Sequence, residues 1–278
     1  MKGYRGIILI ALAMAVSATA TANSRDQAQR IHNRLAGVPA DAATLTEMAQ
    51  LIDNNQVAEA AELAMDNPAF YNVTIKQFAT PWTNEAQDVF APLNDYTATI
   101  IGVVRDDVDF RRILYSDLLY VGNASPAASP SSNAHYQALE DQHADLSTVL
   151  TESSQASQYG TPAEAVAGVL TTRAAANAFF YAGTNRAMLR FTMMNHMCRD
   201  LEQVKDTTRP SDRIRQDVSR SPGGDSRIFR NSCIGCHSGM DPLAQAFAYY
   251  DWEGEQEGNG GRIVYTSCND AETGTRVQ

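Results

Sequence analysis

Residues 233–237 read Cys-Ile-Gly-Cys-His, two thiols three positions apart with an imidazole directly after the second. On a helix this spacing puts both sulfurs on one side, a turn apart. Two thiols so placed can add to the two vinyl groups along one porphyrin edge, and the following histidine then lies beneath the iron. C-x-x-C-H is accordingly the attachment signature of haem c. With four Cys and five His in 278 residues, a chance occurrence is about one in a thousand. The expectation is one covalent haem c per chain, held by Cys233 and Cys236, with His237 as the proximal iron ligand.

Other chemistry at these residues asks for surroundings the sequence does not offer. A thioredoxin-like redox pair wants a strand ahead of the motif and an α/β pattern around it. A structural zinc site wants a second Cys or His doublet at matching spacing, and there is none. After His237 the only methionine is Met240 and no histidine follows. Three residues of chain reach at most about 11 Å, and the path would have to round the porphyrin edge, so Met240 is expected to pack in a turn. A sixth iron ligand then has to come from upstream, where Met193, Met194, His196 and Met197 form the densest source. Methionines on an apolar helix serve equally well as packing. His135 and His143 read as ordinary surface histidines, and His32 is a more remote candidate still.

The elements that must position these residues are mainly helical. Apolar residues recur at helical spacing, as in Leu45, Met48, Ala49 and Ile52, and a helical spacing is read again through Val108, Arg112, Tyr115 and Leu119, of which Arg112 is charged. Asp41 is placed to cap the first stretch and Pro39 breaks what precedes it. A helix is expected over 135–150. Another is expected from a Thr161-Pro162-Ala163-Glu164 start toward Tyr181, with a break at Gly168. A third, starting at Thr184 or Asn185, carries a wide apolar stripe including Leu189, Met193 and Met197 and should be buried. Residues 206–226 read as an exposed loop, and Ile263–Thr266 as the one fair strand near the end.

Domain organisation follows from composition. Residues 1–22 combine a basic start, an apolar run from Ile7 to Val16 and the small triplet Ala20-Thr21-Ala22, which is the layout of a secretory signal peptide cut after Ala22. That run is too short for the roughly 20 residues of a spanning helix, so no membrane span is expected after cleavage, and the protein is expected in the periplasm or outside the cell. A helical N-terminal domain is expected over 23–120, a Gly/Ser/Pro-rich linker over 121–134, and a haem-binding, cytochrome c-like helical domain over 135–278. The chain stops at Gln278 without a closing core element, as a fragment of a longer protein would. The formal charge of −10 becomes −12 once the leader, with Lys2 and Arg5 and no acidic residue, is removed. An acidic chain without clustered Lys and Arg does not suit phosphate backbones, which argues against nucleic acid as a partner. Cys198 and Cys268 remain. They can pair across about seventy residues in an oxidising compartment or stand as thiols.

The run Cys233–Trp252, CIGCHSGMDPLAQAFAYYDW, resembles an uncharacterised family of exported c-type cytochrome domains of planctomycete type, whose pattern is C-x-x-C-H-x-x-M-D-P followed by a helix with F-A and an aromatic-aspartate ending. The matching positions are Met240, Asp241, Pro242, Phe247, Ala248, Tyr250 and Asp251, and Gly168–Phe191 is similar to the segment that precedes the haem in that family. Gln245 departs from the small residue usual there. The resemblance implies haem binding. On the residues, Asp241 would cap a helix that Pro242 starts, with Leu243, Phe247 and Tyr250 on one face.

Three functions stay open. Electron transfer with redox partner proteins is the leading one. A haem-dependent, peroxidase-like oxidoreductase with an open distal side, using His196 or Arg190, is the alternative. The third is an interaction module within a larger assembly. No Ser-His-Asp arrangement is visible.

Overall fold

A computed structural model describes residues 23–181, 185–208, 219–256 and 260–265. The expected leader and Cys268 lie outside the described residues. The fold is mainly α-helical, and among the described residues no helix is long and apolar enough to cross a membrane.

The chain divides into two compact units after Phe70. The first holds α1 (Ser24–Leu35), α2 (Ala42–Asp53) and α3 (Val57–Met65). Asn23 caps α1 by accepting from the Arg25 N–H, and Asp41 caps α2 by accepting from Ala43 and Thr44, each satisfying backbone donors that a helix start leaves open. Ala28, Leu45, Met48, Ala60 and Ala64 form its core. Three of these five are alanines, so the helices approach closely but bury little apolar area.

The second unit is built around α4 (Asp95–Arg105), in which every residue from Asp95 to Val103 is buried. A helix covered on all sides has to be apolar or internally satisfied, and its one buried charge is bonded: Asp95 accepts from the Arg173 and Ala174 N–H groups and from the Tyr159 hydroxyl, whereas Thr97 Oγ1 is buried without a partner among the described residues. Ile100, Ile101, Tyr120, Tyr136, Phe179, Met188 and Trp252 share one core. They come from α4, from α5 (Ala134–Asp141), α6 (Arg173–Phe179) and α7 (Asn185–Met197), and from short strands. Strand β1 (Leu119–Val121) pairs antiparallel with β2 (Thr151–Ser153). The segment 121–134, expected as a linker, therefore lies inside this unit, and the His135 ring fastens it: Nδ1 donates to the Pro126 carbonyl while Nε2 accepts from the Gly122 N–H. His135 is buried, not a surface histidine.

Several expected helices are shorter than their periodicity suggested. The helix over 135–150 breaks because His143 takes a left-handed conformation, φ 50°. Val108 to Leu119 forms a 3₁₀ turn, Phe110–Leu114, and then β1. Between Thr161 and Tyr181 two 3₁₀ turns, Ala163–Ala165 and Gly168–Thr171, precede α6, whose cap is Thr172 and not Thr161. Gly168 supplies the expected break, with φ 54° and the Ile113 carbonyl where a Cβ would sit. The C-terminal strand expectation holds at Arg262–Tyr265 (β4), paired antiparallel with Tyr250–Glu253 (β3).

Candidate functional site

The thiol segment starts where Asp225 accepts from the Arg227 N–H and opens a helical turn, Ser226–Ile228. The backbone then widens into a π turn, Phe229–Cys233, and continues as a helix over Ile234–Ala244. Single π turns inside helices recur at functional sites. Cys233 stands at the junction with φ −112°, far from the helical value. Cys236 follows inside the helix, and both thiols are free and half-buried.

Asp241 does not cap a helix, and Pro242 does not start one. Both lie within Ile234–Ala244, where the missing Pro242 N–H costs only the carbonyl of Ser238 near the helix end. Asp241 instead sits one turn after His237, on the same side. Its side chain is fully buried and receives the Arg186 Nε at 2.7 Å, the Arg220 guanidinium at 3.1 Å and the His237 Nδ1 at 3.1 Å. Burial alone would raise this carboxyl, but the two guanidiniums outweigh it and hold the group below its ordinary value. An ionised carboxylate only accepts, so His237 Nδ1 carries the hydrogen and Nε2 is the basic nitrogen. The His237 ring rests on Phe229 at 5.3 Å between centroids, and the Arg220 guanidinium lies 4.4 Å over the same phenyl ring.

Two glycines let another segment run along this helix. The short helix Leu201–Val204 leads into 205–206, where the Asp206 N–H donates to the Gly235 carbonyl at 3.2 Å. A Cβ on Gly239 would lie 1.7 Å from the Val204 carbonyl oxygen, and the Lys205 side chain passes over Gly235, between the two cysteines in sequence. On another side Met240 and Ala244 pack with Leu189 and Met193 of α7.

The upstream ligand candidates are committed elsewhere. His196 Nε2 pairs with the Tyr96 hydroxyl at 2.8 Å, and its ring stands edge-on to Trp82. Burial lowers this imidazole to about 4. Met193 is buried in the cluster with Met240, Met194 is half-buried and Met197 is exposed on the surface. Arg190, expected as a distal charge, is paired with Asp200 at 2.9 Å. Cys198 is an exposed thiol with φ 51°. The His237–Asp241 pair was legible as a His and an Asp four apart. The partners Arg186 and Arg220, 55 and 21 residues from Asp241, carry no signal in the sequence.

Among the described residues no group of three or more His, Cys, Asp or Glu side chains is arranged to hold a metal ion. A scan of protein-family models, a search of curated proteins and a search of solved structures each return no match. The expectations built on the pentapeptide are corrected accordingly. The resemblance to exported cytochromes gains no support from any family model, and the helical fold is not identified with that of cytochrome c. Haem c, iron ligation by His237, electron transfer and the peroxidase-like alternative are not assigned to this chain.

Proposed function

We propose that Cys233 and Cys236 form a reactive thiol pair that exchanges with disulfides of partner proteins. The observation that carries this reading is the pair itself: two free, half-buried thiols a turn apart beside an imidazole whose orientation a buried carboxylate fixes. The leader-like residues 1–22 support a site of action outside the cytoplasm, where disulfides form and persist.

In the exchange, one thiolate attacks a sulfur of a partner disulfide, the partner's other sulfur leaves as thiolate, and a mixed disulfide forms. The second thiolate of this chain then attacks the mixed disulfide. Cys233 and Cys236 end joined, the partner ends as a dithiol, and two electrons and two protons have passed to it. His237 Nε2 is the group placed to exchange a proton, because Nδ1 is held by Asp241. Helical neighbours three apart keep their Cβ atoms about 5–6 Å apart, whereas a disulfide needs about 3.5–4.5 Å. Closing the pair therefore requires a backbone adjustment, for which Cys233, at the junction of the π turn and the helix, is the position, and a bridge closed in this way is readily reduced.

Mature protein isolated from an oxidising compartment tests the reading by alkylation and peptide mass analysis. The expected result is a Cys233–Cys236 bridge that mild reductant opens, with a Cys233→Ser or Cys236→Ser chain accumulating mixed disulfides. Asp241→Asn should slow exchange with a small aromatic disulfide and shift its pH profile without abolishing it. Two thiols that stay fully alkylatable under oxidising conditions overturn the reading, and so does a pair carrying an added mass that reductant does not release.

A further inference from the structure

The segment that crosses the thiol helix is anchored unevenly. Its first part, 200–204, is tied to α7. Asp200 pairs with Arg190 at 2.9 Å through both carboxylate oxygens, and Asp200 and Gln203 close a reciprocal capping box. Leu201 and Val204 pack against Leu189, Met193, Met240 and Ala244. The second part, 205–208, leaves the helical conformation at Lys205, with φ −56° and ψ 126°. What joins it to the thiol helix is Gly235. The Asp206 N–H donates to the Gly235 carbonyl at 3.2 Å, and a Cβ on Gly235 would meet Lys205 Cε at 2.8 Å and Thr207 Cγ2 at 3.4 Å. Lys205, Thr207 and Thr208 are otherwise exposed.

Gly235 lies between the two cysteines, so its carbonyl belongs to the turn that must change when they join. Closing the bridge brings the two Cβ atoms from about 5–6 Å to about 3.5–4.5 Å. Three peptide planes separate Cys233 from Cys236, and one of them carries the Gly235 carbonyl. A plane that tilts by roughly 30° swings its oxygen by about 1 Å, and a hydrogen bond already at 3.2 Å does not survive such a shift. We propose that the Cys233–Cys236 pair is a redox switch for this segment: 205–208 is docked on the helix in the dithiol state and released in the disulfide state, while 200–204 stays anchored to α7. The switch depends on the thiol exchange proposed above. Cys233 and Cys236 give up two electrons and two protons to a partner disulfide, which leaves as a dithiol. By linkage the docked segment favours the dithiol, so weakening the dock favours the bridge.

Hydrogen exchange of the full mature chain, read by mass analysis of a peptide spanning 201–208 before and after bridging with oxidised glutathione, tests it. The Asp206 amide should exchange about tenfold faster in the bridged form, whereas the amides of α7 should be unchanged. Cleavage by a lysine-specific protease gives a second reading. After residue 22 the sequence has two lysines, and Lys76 is paired with Glu140, so cutting after Lys205 should accelerate several-fold on bridging. A chain carrying both Cys233→Ser and Cys236→Ser should show neither change under the same oxidant. Asp206→Pro, which the extended ψ of Lys205 accommodates, removes the N–H and should shift the equilibrium with glutathione toward the bridge by about twofold to tenfold. A bridge that forms with no change at Asp206 or Lys205 overturns the switch and leaves thiol exchange standing, as does an Asp206→Pro chain with the parent's equilibrium. A chain in which no bridge forms overturns both.

Discussion

His196 lies between Trp82 and the Tyr96 hydroxyl, and burial lowers its imidazole from 6.5 to about 4. The unfolded chain binds a proton at this residue below pH 6.5 that the folded chain does not accept until about pH 4. Above pH 6.5 both states are neutral and the residue makes no pH-dependent contribution. Between these limits stability falls with falling pH, by roughly 2–3 kcal/mol in total once partial exposure of the ring is allowed for. Urea unfolding at pH 7.5, 6 and 4.5 should show this loss, and His196→Gln should remove that part of the slope; equal slopes in the two proteins would refute the assignment. The sequence marked His196 as chemically capable but not what it faces, because Tyr96 and Trp82 lie about a hundred positions upstream. At residues 233–237 the sequence revealed the thiols and the imidazole, and the four-residue spacing to Asp241 was in view. The role of Asp241 was misread as a cap because Asp-Pro commonly starts a helix, whereas here the helix is already running.

Gly235 and Gly239 lie on the side of the thiol helix that the 204–207 segment crosses, and they separate backbone from side-chain obstruction. Gly239→Ala places a methyl against the Val204 carbonyl, which cannot turn aside without moving Leu201–Val204. The expected cost is about 1–3 kcal/mol, beyond any gain in helix propensity. Gly235→Ala meets the flexible end of Lys205 and should be near neutral. Thermal melts of the two variants check the contrast, and equal losses would show that the backbone approach does not matter. Element types were legible where a cap or a wide apolar stripe was clear, as with the Asp41 cap of α2 and the stripe along Asn185–Met197. They were not legible where one residue leaves the helical region, as at His143 and Gly168. A left-handed residue reverses the chain without disturbing the apolar pattern on either side.

The two units differ in what their cores can sustain. Residues 71–278 bury large side chains, among them Tyr96, Tyr120, Tyr136, Phe179 and Phe180, around α4, whereas residues 23–70 are held mainly by alanines. A chain of residues 71–278 should therefore unfold cooperatively by itself. Residues 23–70, a piece of roughly 50 residues with little apolar area, should be largely unfolded alone. Circular dichroism melts of the two pieces check this, and a non-cooperative 71–278 would contradict it. From the sequence by itself came the helical class, the paired thiols and their histidine, and the acidic balance, because these depend on composition and on spacing along a few residues. Tertiary structure alone decided that 121–134 belongs to the larger unit and packs against its core, that Arg186 and Arg220 converge on Asp241, and that the 204–207 segment crosses the thiol helix. Such contacts join residues tens of positions apart, and their energy depends on burial and geometry that no local pattern encodes.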